Sequence, residues 1–196
     1  MARIVKAPDD RRREILDAAM ELFAQRGFEA TSLRDIAKHL GITPGLVYHY
    51  FDSKQKLFDE ALECYAEDCA ADFVRTLRAS DLNLRQKIDA LYHGVANGGP
   101  QRHRDFFHRQ GSEGFHLRLS LRLCERVQPH LVEALKQARR REGICVRDPE
   151  TLASFLLHGH IGIMSAHADA NAATLVRLRE YVDALLDSQI ENECFT

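Results

Sequence analysis

The sequence lacks the features that define several other classes of protein. No apolar run reaches the roughly 18 residues of a membrane span, and we recognise no secretory signal, so we expect a cytoplasmic protein. The cysteines are an odd number without C-x-x-C spacing, which is typical of a reduced chain. They are Cys64, Cys69, Cys124, Cys145 and Cys194.

The motifs of common enzyme classes are also missing. The chain contains no G-x-S-x-G, no Walker loop and no H-E-x-x-H. His103 and His108 are five residues apart, and His158 and His160 are two apart, so neither pair shares a helix face as metal ligands would. We therefore expect no catalytic site, no metal and no cofactor. An enzyme whose catalytic residues meet only in space is the disfavoured alternative.

The chain also lacks a net positive charge, since its formal net charge is −2. Residues 1–56 hold ten Lys and Arg against eight Asp and Glu, which gives +2, and the rest gives −4. The basic excess in the first quarter includes Arg11, Arg12 and Arg13. These three arginines either lie along phosphates or form an ordinary solvated helix start.

What is present is a segment from Thr31 to Phe51 that reads TSLRDIAKHLGITPGLVYHYF. Its order is a capped helix, a glycine turn and a second capped helix, which predicts a helix-turn-helix. Ser32 and Asp35 are spaced as a capping pair, and Gly41 suits the left-handed residue that ends a helix. Thr43 is an N-cap candidate before Pro44 at the first helical position.

The second helix of this segment has two different faces. Val47 and Phe51 point to one side, with Tyr50 beside them, and this side is expected to pack inward. Pro44, Gly45, Tyr48 and His49 point roughly the opposite way and are free to meet DNA. Lys54 begins the next helix behind an Asp52-Ser53 cap and is placed to reach a phosphate. Upstream, an apolar face that ends before Gly27 predicts a bracing first helix; it comprises Ile15, Leu16, Ala19, Leu22 and Phe23.

The stretch ILDAAMELFAQRGFEATSLRDIAKHLGITPGLVYHYFDSKQKL resembles the DNA-binding part of the TetR family of bacterial transcriptional repressors. The matching elements are LDAA, LF with GF, TS.RDIA, LGI, YHYF and the K..L after it. The resemblance implies DNA contacts at Ser32, Arg34, Thr43, Pro44, Gly45, Tyr48, His49, Tyr50 and Lys54. The family often reads Tyr-aromatic-His-Phe, whereas this chain has His49 before Tyr50, so either of these two could make the backbone contact.

The remainder of the chain is expected to be helical. Residues 115–123 alternate apolar and polar like a strand, but they lack β-branched residues and a partner strand, so we predict helix. Pro129 is expected to kink this helix or to start a new one. A short helix is expected over 102–110. The fold class is therefore all-α with about nine helices, divided into a DNA-binding domain (1–53) and a ligand-binding and dimerisation domain (54–196).

The helix after Asp148-Pro149 is apolar on nearly every face, which favours burial against a partner subunit. With the last helix it predicts a four-helix interface across a twofold axis. The resemblance implies the same homodimer. The expected interface residues are Phe155, Leu156, Gly159, Ile163, Leu178, Val182 and Leu185.

The middle helices are left to form an inducer cavity, mostly apolar with a few polar anchors. The candidates are Tyr65, Phe73, Tyr92, Phe106, Phe107, Glu113, Phe115, His116 and Leu119. Ordinary core packing is the alternative for each aromatic side chain. The resulting hypothesis is a dimeric repressor that binds operator DNA and releases it when a small-molecule inducer binds. A helical sensor dimer without operator binding is the second alternative.

Overall fold

The computed structural model describes residues 7–96, 113–166 and 172–188. Within these ranges the chain forms eight helices and no strand. They are α1 (Pro8–Arg26), α2 (Leu33–Leu40), α3 (Pro44–Tyr50), α4 (Lys54–Arg78), α5 (Leu84–Ala96), α6 (Glu113–Glu142), α7 (Pro149–Ala166) and α8 (Ala172–Ser188). The all-α prediction is confirmed, and the short helix expected over 102–110 lies outside the described residues.

The helices belong to two compact units. The first spans Met1–Tyr65 and Gln101–His116, and the second spans Ala66–Pro100 and Leu117–Thr196. The division falls inside α4, twelve residues beyond the boundary at 53 that the sequence suggested. The physical reason is that the first turns of α4 carry core residues of the first unit, namely Leu57, Phe58, Ala61 and Leu62.

The core of the first unit is built on the predicted face of α1. Ile15, Leu22 and Phe23 are fully buried, together with Ile36 of α2 and Val47 of α3. An aromatic cluster completes this core, with ring centroids 4.8–5.6 Å apart; its members are Phe23, Phe28, Phe58 and Phe115. Burying rings of this size contributes about 2–3 kcal/mol each. The two short helices α2 and α3 are thereby anchored to this core through Ile36 and Val47.

The ambiguous segment 115–123 is helical, as predicted, because it forms the start of the 30-residue α6. Pro129 lies inside this helix and does not end it. The prediction that a new helix might start there is therefore wrong. The proline removes only one backbone donor, and the turns of α6 on either side of it are held because they pack into the core of the second unit. Val127 and Leu131, on either side of the proline, are both in that core.

The second unit has its own apolar core, to which α4 to α8 contribute. Leu77, Leu84, Leu135, Ala153 and Leu186 represent the five helices in it. Polar contacts fix the ends of the helices: Glu142 Oε1 accepts a 2.7 Å hydrogen bond from Leu84 N, the first amide of α5. Of the helices in the part of the chain that the structure describes, none is long and apolar enough to cross a membrane.

Candidate nucleic-acid interface

The start of α2 is held by a reciprocal capping box. Asp35 N donates to Ser32 Oγ at 3.2 Å, and Ser32 N donates to Asp35 Oδ2 at 2.9 Å. Ser32 Oγ also hydrogen-bonds the Asp35 carboxylate. These hydrogen bonds from Ser32 hold the pKa of Asp35 below its usual value. The predicted cap is confirmed, and it keeps Ser32 and its neighbour Arg34 at the exposed end of the helix.

The turn between α2 and α3 has the predicted length of three residues. Gly41 adopts φ 64° and ψ 29°, a left-handed conformation in which a side chain would be strained. Ile42 N donates to Ala37 O at 3.0 Å, which closes the end of α2. Thr43 caps α3 by position, but its hydroxyl makes no capping hydrogen bond. That exposed hydroxyl is consequently available to an external acceptor or donor.

The two faces of α3 are arranged as the sequence predicted. Val47 and Phe51 are fully buried, while Pro44, Gly45 and Tyr48 are exposed. Tyr48 has 49% of its surface exposed, although it is a large aromatic residue. No atom lies within 4 Å of where a Cβ on Gly45 would be, so the backbone there is open to close approach. The outward face can therefore meet a flat or grooved partner directly.

His49 and Tyr50 differ in their exposure. His49 is exposed, whereas Tyr50 is half-buried and contacts the His49 ring edge-on at a centroid distance of 5.4 Å. The Tyr50 ring also lies 6.4 Å from that of Phe51, which belongs to the core. His49 is the more accessible of the two to a DNA backbone, and Tyr50 has a packing role beside it.

Lys54 stands at the first turn of α4, as predicted, but its ammonium already has partners. Lys54 Nζ donates to Phe28 O at 2.9 Å and lies 4.3 Å from the centre of the Phe28 ring. The Glu29 carboxylate is 3.8 Å away. Lys54 thus ties the loop after α1 to the start of α4, and its charge sits at the positive end of a helix. The Ser53 hydroxyl caps the same helix by accepting from Lys56 N at 3.1 Å.

These elements surround an open cleft of about 430 Å³ on the first unit. It brings together the capped starts of α2 and α4 with Tyr48 of α3, three of the features that the sequence singled out. The lining residues are Glu29, Ala30, Thr31, Ser32, Leu33, Tyr48, Asp52, Ser53 and Lys54. The partial positive charge at these two helix starts favours an anionic partner such as phosphate.

Sequence reasoning had treated Thr31 only as the first residue of the motif. Thr31 is 2% exposed, and its hydroxyl donates to Gly27 O at 2.9 Å. This hydrogen bond fixes the loop that forms one wall of the cleft. The acceptor is the backbone carbonyl of Gly27, directly after α1. Every residue has a backbone carbonyl, so this contact could not be recognised from the sequence.

The charges around this surface are largely neutralised by intramolecular pairs. Arg11, Arg12 and Arg13 pair with Glu14, Glu60 and Asp17, respectively. The Arg12 guanidinium also lies 4.8 Å from the centre of the Phe51 ring. The alternative in which these three arginines belong to the structure of α1 therefore has direct support. Arg34 is exposed and forms no ion pair within the described part of the chain.

The inducer candidates are distributed over the two compact units. Tyr65 is buried in the first unit, and His116 of the same unit is half-buried. Phe115 packs against Phe28 and Phe58, as the core-packing alternative requires. In the second unit Phe73, Tyr92 and Leu119 are half-buried. Phe106 and Phe107 lie outside the described residues, and of Glu113 only the helical backbone is described.

The interface candidates divide by helix. On α7, Phe155 is 62% exposed and Ile163 is 37% exposed, whereas Leu156 and Gly159 are half-buried. On α8, Leu178 and Leu185 are half-buried, and Val182 is only 5% exposed because it packs in the core of its own unit. The exposed apolar residues of α8 are instead Val176 and Tyr181, which sequence reasoning missed.

Comparison with known proteins adds to this geometry. The family model described as bacterial regulatory proteins, tetR family, matches residues 15–61, which contain α1 to α3 and the start of α4. The part of the chain that carries the helix-turn-helix therefore matches the TetR family. Within the described residues, no group of three or more His, Cys, Asp or Glu side chains could hold a metal ion.

One curated relative is the HTH-type transcriptional repressor KstR2 of Rhodococcus jostii, which is 46% identical over 81 residues. The alignment covers 41% of this chain and 39% of that protein, so the chain spans less than half the length of the relative.

Two solved structures resemble almost the whole chain. A TetR/AcrR-family regulator from Thermobifida fusca has a TM-score of 0.63 at 20% identity, covering 90% of this chain and 96% of that one. Salmonella enterica GusR has a TM-score of 0.66 at 23% identity, covering 94% and 100%. Similarity at this level of identity establishes the fold alone.

Proposed function

We propose that this TetR-family chain is a homodimeric transcriptional repressor, not an enzyme, that acts in the cytoplasm. It binds operator DNA and releases it when a small molecule binds. The observation that carries the proposal is the exposed face of α3, where Tyr48 stands beside open Gly45 at a cleft formed by two capped helix starts.

In this proposal α3 enters the major groove with its N-terminal half toward the bases. Tyr48, His49 and the free Thr43 hydroxyl hydrogen-bond phosphate oxygens. Pro44 makes only apolar contacts, for example with a thymine methyl group, and the open backbone at Gly45 lets the helix approach closely. Ser32 and Lys54 hold the neighbouring phosphates from the starts of α2 and α4, and Arg34 adds an unpaired charge.

Nonspecific attraction to DNA should be modest in this design. Most of the arginines of α1 are engaged with carboxylates, and the first 56 residues carry a formal charge of only +2. Each phosphate that the protein neutralises releases counterions, so specific binding to the operator should fall steeply with salt. Specificity for the operator then depends on how well α3 fits the major groove and on the binding of both subunits of the dimer to two half-sites at once.

The dimer follows from the exposed apolar residues of the last two helices. Phe155 and Ile163 on α7 and Val176 and Tyr181 on α8 are large apolar residues that remain exposed in the single subunit, as residues of an interface do. A twofold interface would cover these residues and set two α3 helices about one turn of DNA apart. An inducer that prefers the other spacing needs only about 1.4 kcal/mol of differential binding to weaken operator affinity tenfold.

The test begins with selection of a binding site from random duplex DNA on the wild-type protein. Tyr48→Ala should weaken binding to that site at least about tenfold, because a phosphate contact and the ring packing are both lost. Tyr48→Phe keeps the ring and should fall between the two. Sedimentation of both variants checks that each remains folded and dimeric.

Two results would overturn the proposal. The first is selection of no preferred sequence by the wild type, which is the outcome expected of a sensor dimer without operator binding. The second is wild-type affinity in Tyr48→Ala, which would mean that α3 does not dock through this face.

A further inference from the structure

Two half-buried polar rings meet in the second unit, on helices that are far apart in sequence. Tyr92 of α5 and His160 of α7 contact each other edge-to-face, with ring centroids 5.8 Å apart. Within the part of the chain that the structure describes, neither the Tyr92 hydroxyl nor the His160 ring nitrogens form a hydrogen bond. By contrast, exposed His158, two residues earlier, lies with Nδ1 2.9 Å from Ser154 O.

Both rings are uncharged at neutral pH. Burial lowers the pKa of His160 and raises the pKa of Tyr92, in each case because the charged form is disfavoured away from water. A neutral imidazole and a phenol each offer one donor and one acceptor. Half-buried groups with unused hydrogen-bonding capacity are poised to gain from a ligand that supplies the missing partners.

The nearest fixed charge is already neutralised. Arg179 of α8 is close enough to Tyr92 to affect its phenol, but its Nε donates to Asp89 Oδ1 at 2.6 Å and its Nη1 pairs with Asp183. Arg85 Nη1 also donates to Asp183, at 2.8 Å, and Arg85 pairs with Asp187 as well. Two arginines against three aspartates leave a local charge of −1, so this region offers an anion no free counter-charge.

Tyr92 packs against the apolar core of the second unit. Half-buried side chains from α4, α5 and α7 pack against the same core, among them Phe73, Leu91, Leu156 and Leu157. An apolar environment with two neutral polar groups is the usual composition of a site for a lipophilic molecule with one polar end.

We infer that Tyr92 and His160 form the polar recognition pair for an uncharged, lipophilic inducer that carries a hydroxyl or carbonyl group. The inference rests on the proposed function, because it specifies the chemical class of the inducer. The two rings hydrogen-bond the polar end of the ligand, while the neutralised arginines discriminate against carboxylates. A cation is disfavoured by the loss of its hydration in this apolar environment.

The test uses three fluorescent probes of one shape, namely naphthol, naphthoate and naphthylmethylammonium, titrated into the full-length protein. Naphthol should bind more tightly than either ion. Tyr92→Phe and His160→Leu should each weaken naphthol binding about five- to tenfold, the effect of losing one hydrogen bond. The matched control His158→Leu removes an imidazole from the exposed side of the same helix and should leave naphthol binding unchanged.

Tighter binding of naphthoate, equal loss in the His158 control, or no naphthol binding at millimolar concentration would each overturn the inference. Gel shifts on the same preparations separate it from the proposed function. Operator binding without the expected naphthol response contradicts the recognition pair alone. A naphthol response without any operator binding contradicts the repressor proposal alone.

Discussion

At the scale of the residue, the candidate site combines side chains that serve the fold with side chains left free. Ser32 caps α2, Thr31 fixes the loop before it, and Lys54 ties that loop to α4. The side chains of Thr43 and Tyr48 form no such hydrogen bond within the described part of the chain. The sequence could predict the Ser32 cap because its partner is three residues away, but Lys54 bonds the carbonyl of Phe28, 26 residues earlier. A backbone acceptor at that distance has no signature in the sequence.

The capping box makes a prediction about stability and pH. Ser32→Ala should lower the free energy of unfolding by about 1 kcal/mol, whereas Ser32→Thr keeps a capping hydroxyl and should lower it less. The folded-state pKa of Asp35 is depressed, so its carboxylate stabilises the fold above about pH 4 and loses this effect as the pH falls through the folded pKa. The difference between wild type and Ser32→Ala should therefore shrink in acid.

Urea denaturation of the three proteins at neutral and acidic pH measures both effects. A Ser32→Ala protein as stable as wild type at neutral pH would show that the cap contributes nothing to α2.

At the scale of the element, the periodicity of α8 identified its apolar face. Leu178, Val182 and Leu185 were predicted at a partner subunit, and of these Val182 is buried in the core of its own unit. An amphipathic pattern predicts that one face of a helix is buried, but it does not predict which element packs against that face. The outward residues Val176 and Tyr181 follow from the same period once the inward face is known.

The pairing of α5 with α8 gives a second prediction. The Arg179 side chain is 16% exposed and holds Asp89 across the two helices, whereas Asp187 lies at the exposed end of the same network. Asp89→Asn should destabilise the protein by about 1–2 kcal/mol, because a charge-assisted hydrogen bond to a largely buried guanidinium is weakened.

The matched change Asp187→Asn should cost no more than about 0.5 kcal/mol, since exposed ion pairs contribute little. Thermal unfolding of the two variants side by side makes the comparison. Equal destabilisation would mean that burial does not distinguish the two pairs.

At the scale of the whole molecule, the all-helical fold and the position of the helix-turn-helix were predictable from the sequence. They depend on local periodicity and on capping residues such as Ser32 and Gly41. The limits of the two compact units were not predictable, because they depend on which core receives Leu57 and Phe58. Both residues continue the apolar stripe of α4 without a change of period, so the sequence contains no mark of the division.

The proposed dimer gives a prediction at this scale. Phe155→Glu should convert the protein to a monomer, because a charge would be buried at the centre of the apolar interface. Leu117→Glu places the same charge at an exposed leucine of α6 and should leave the dimer intact.

Sedimentation equilibrium gives the oligomeric state of each variant, and a gel shift shows whether the monomer loses the operator. If the Phe155→Glu protein stays dimeric, the dimer interface does not include this part of α7.

The 25 residues of α4 form one uninterrupted helix that contributes its beginning to one compact unit and its end to the other. A chimera that exchanges one unit between proteins of this fold therefore has no loop in which the two parts can be joined. A chimera cut at residue 53 would remove Leu57, Phe58 and Leu62 from the core of the first unit. The joint belongs after Tyr65, and because it falls within a helix, an insertion or deletion of even one residue would turn everything beyond it by about 100°.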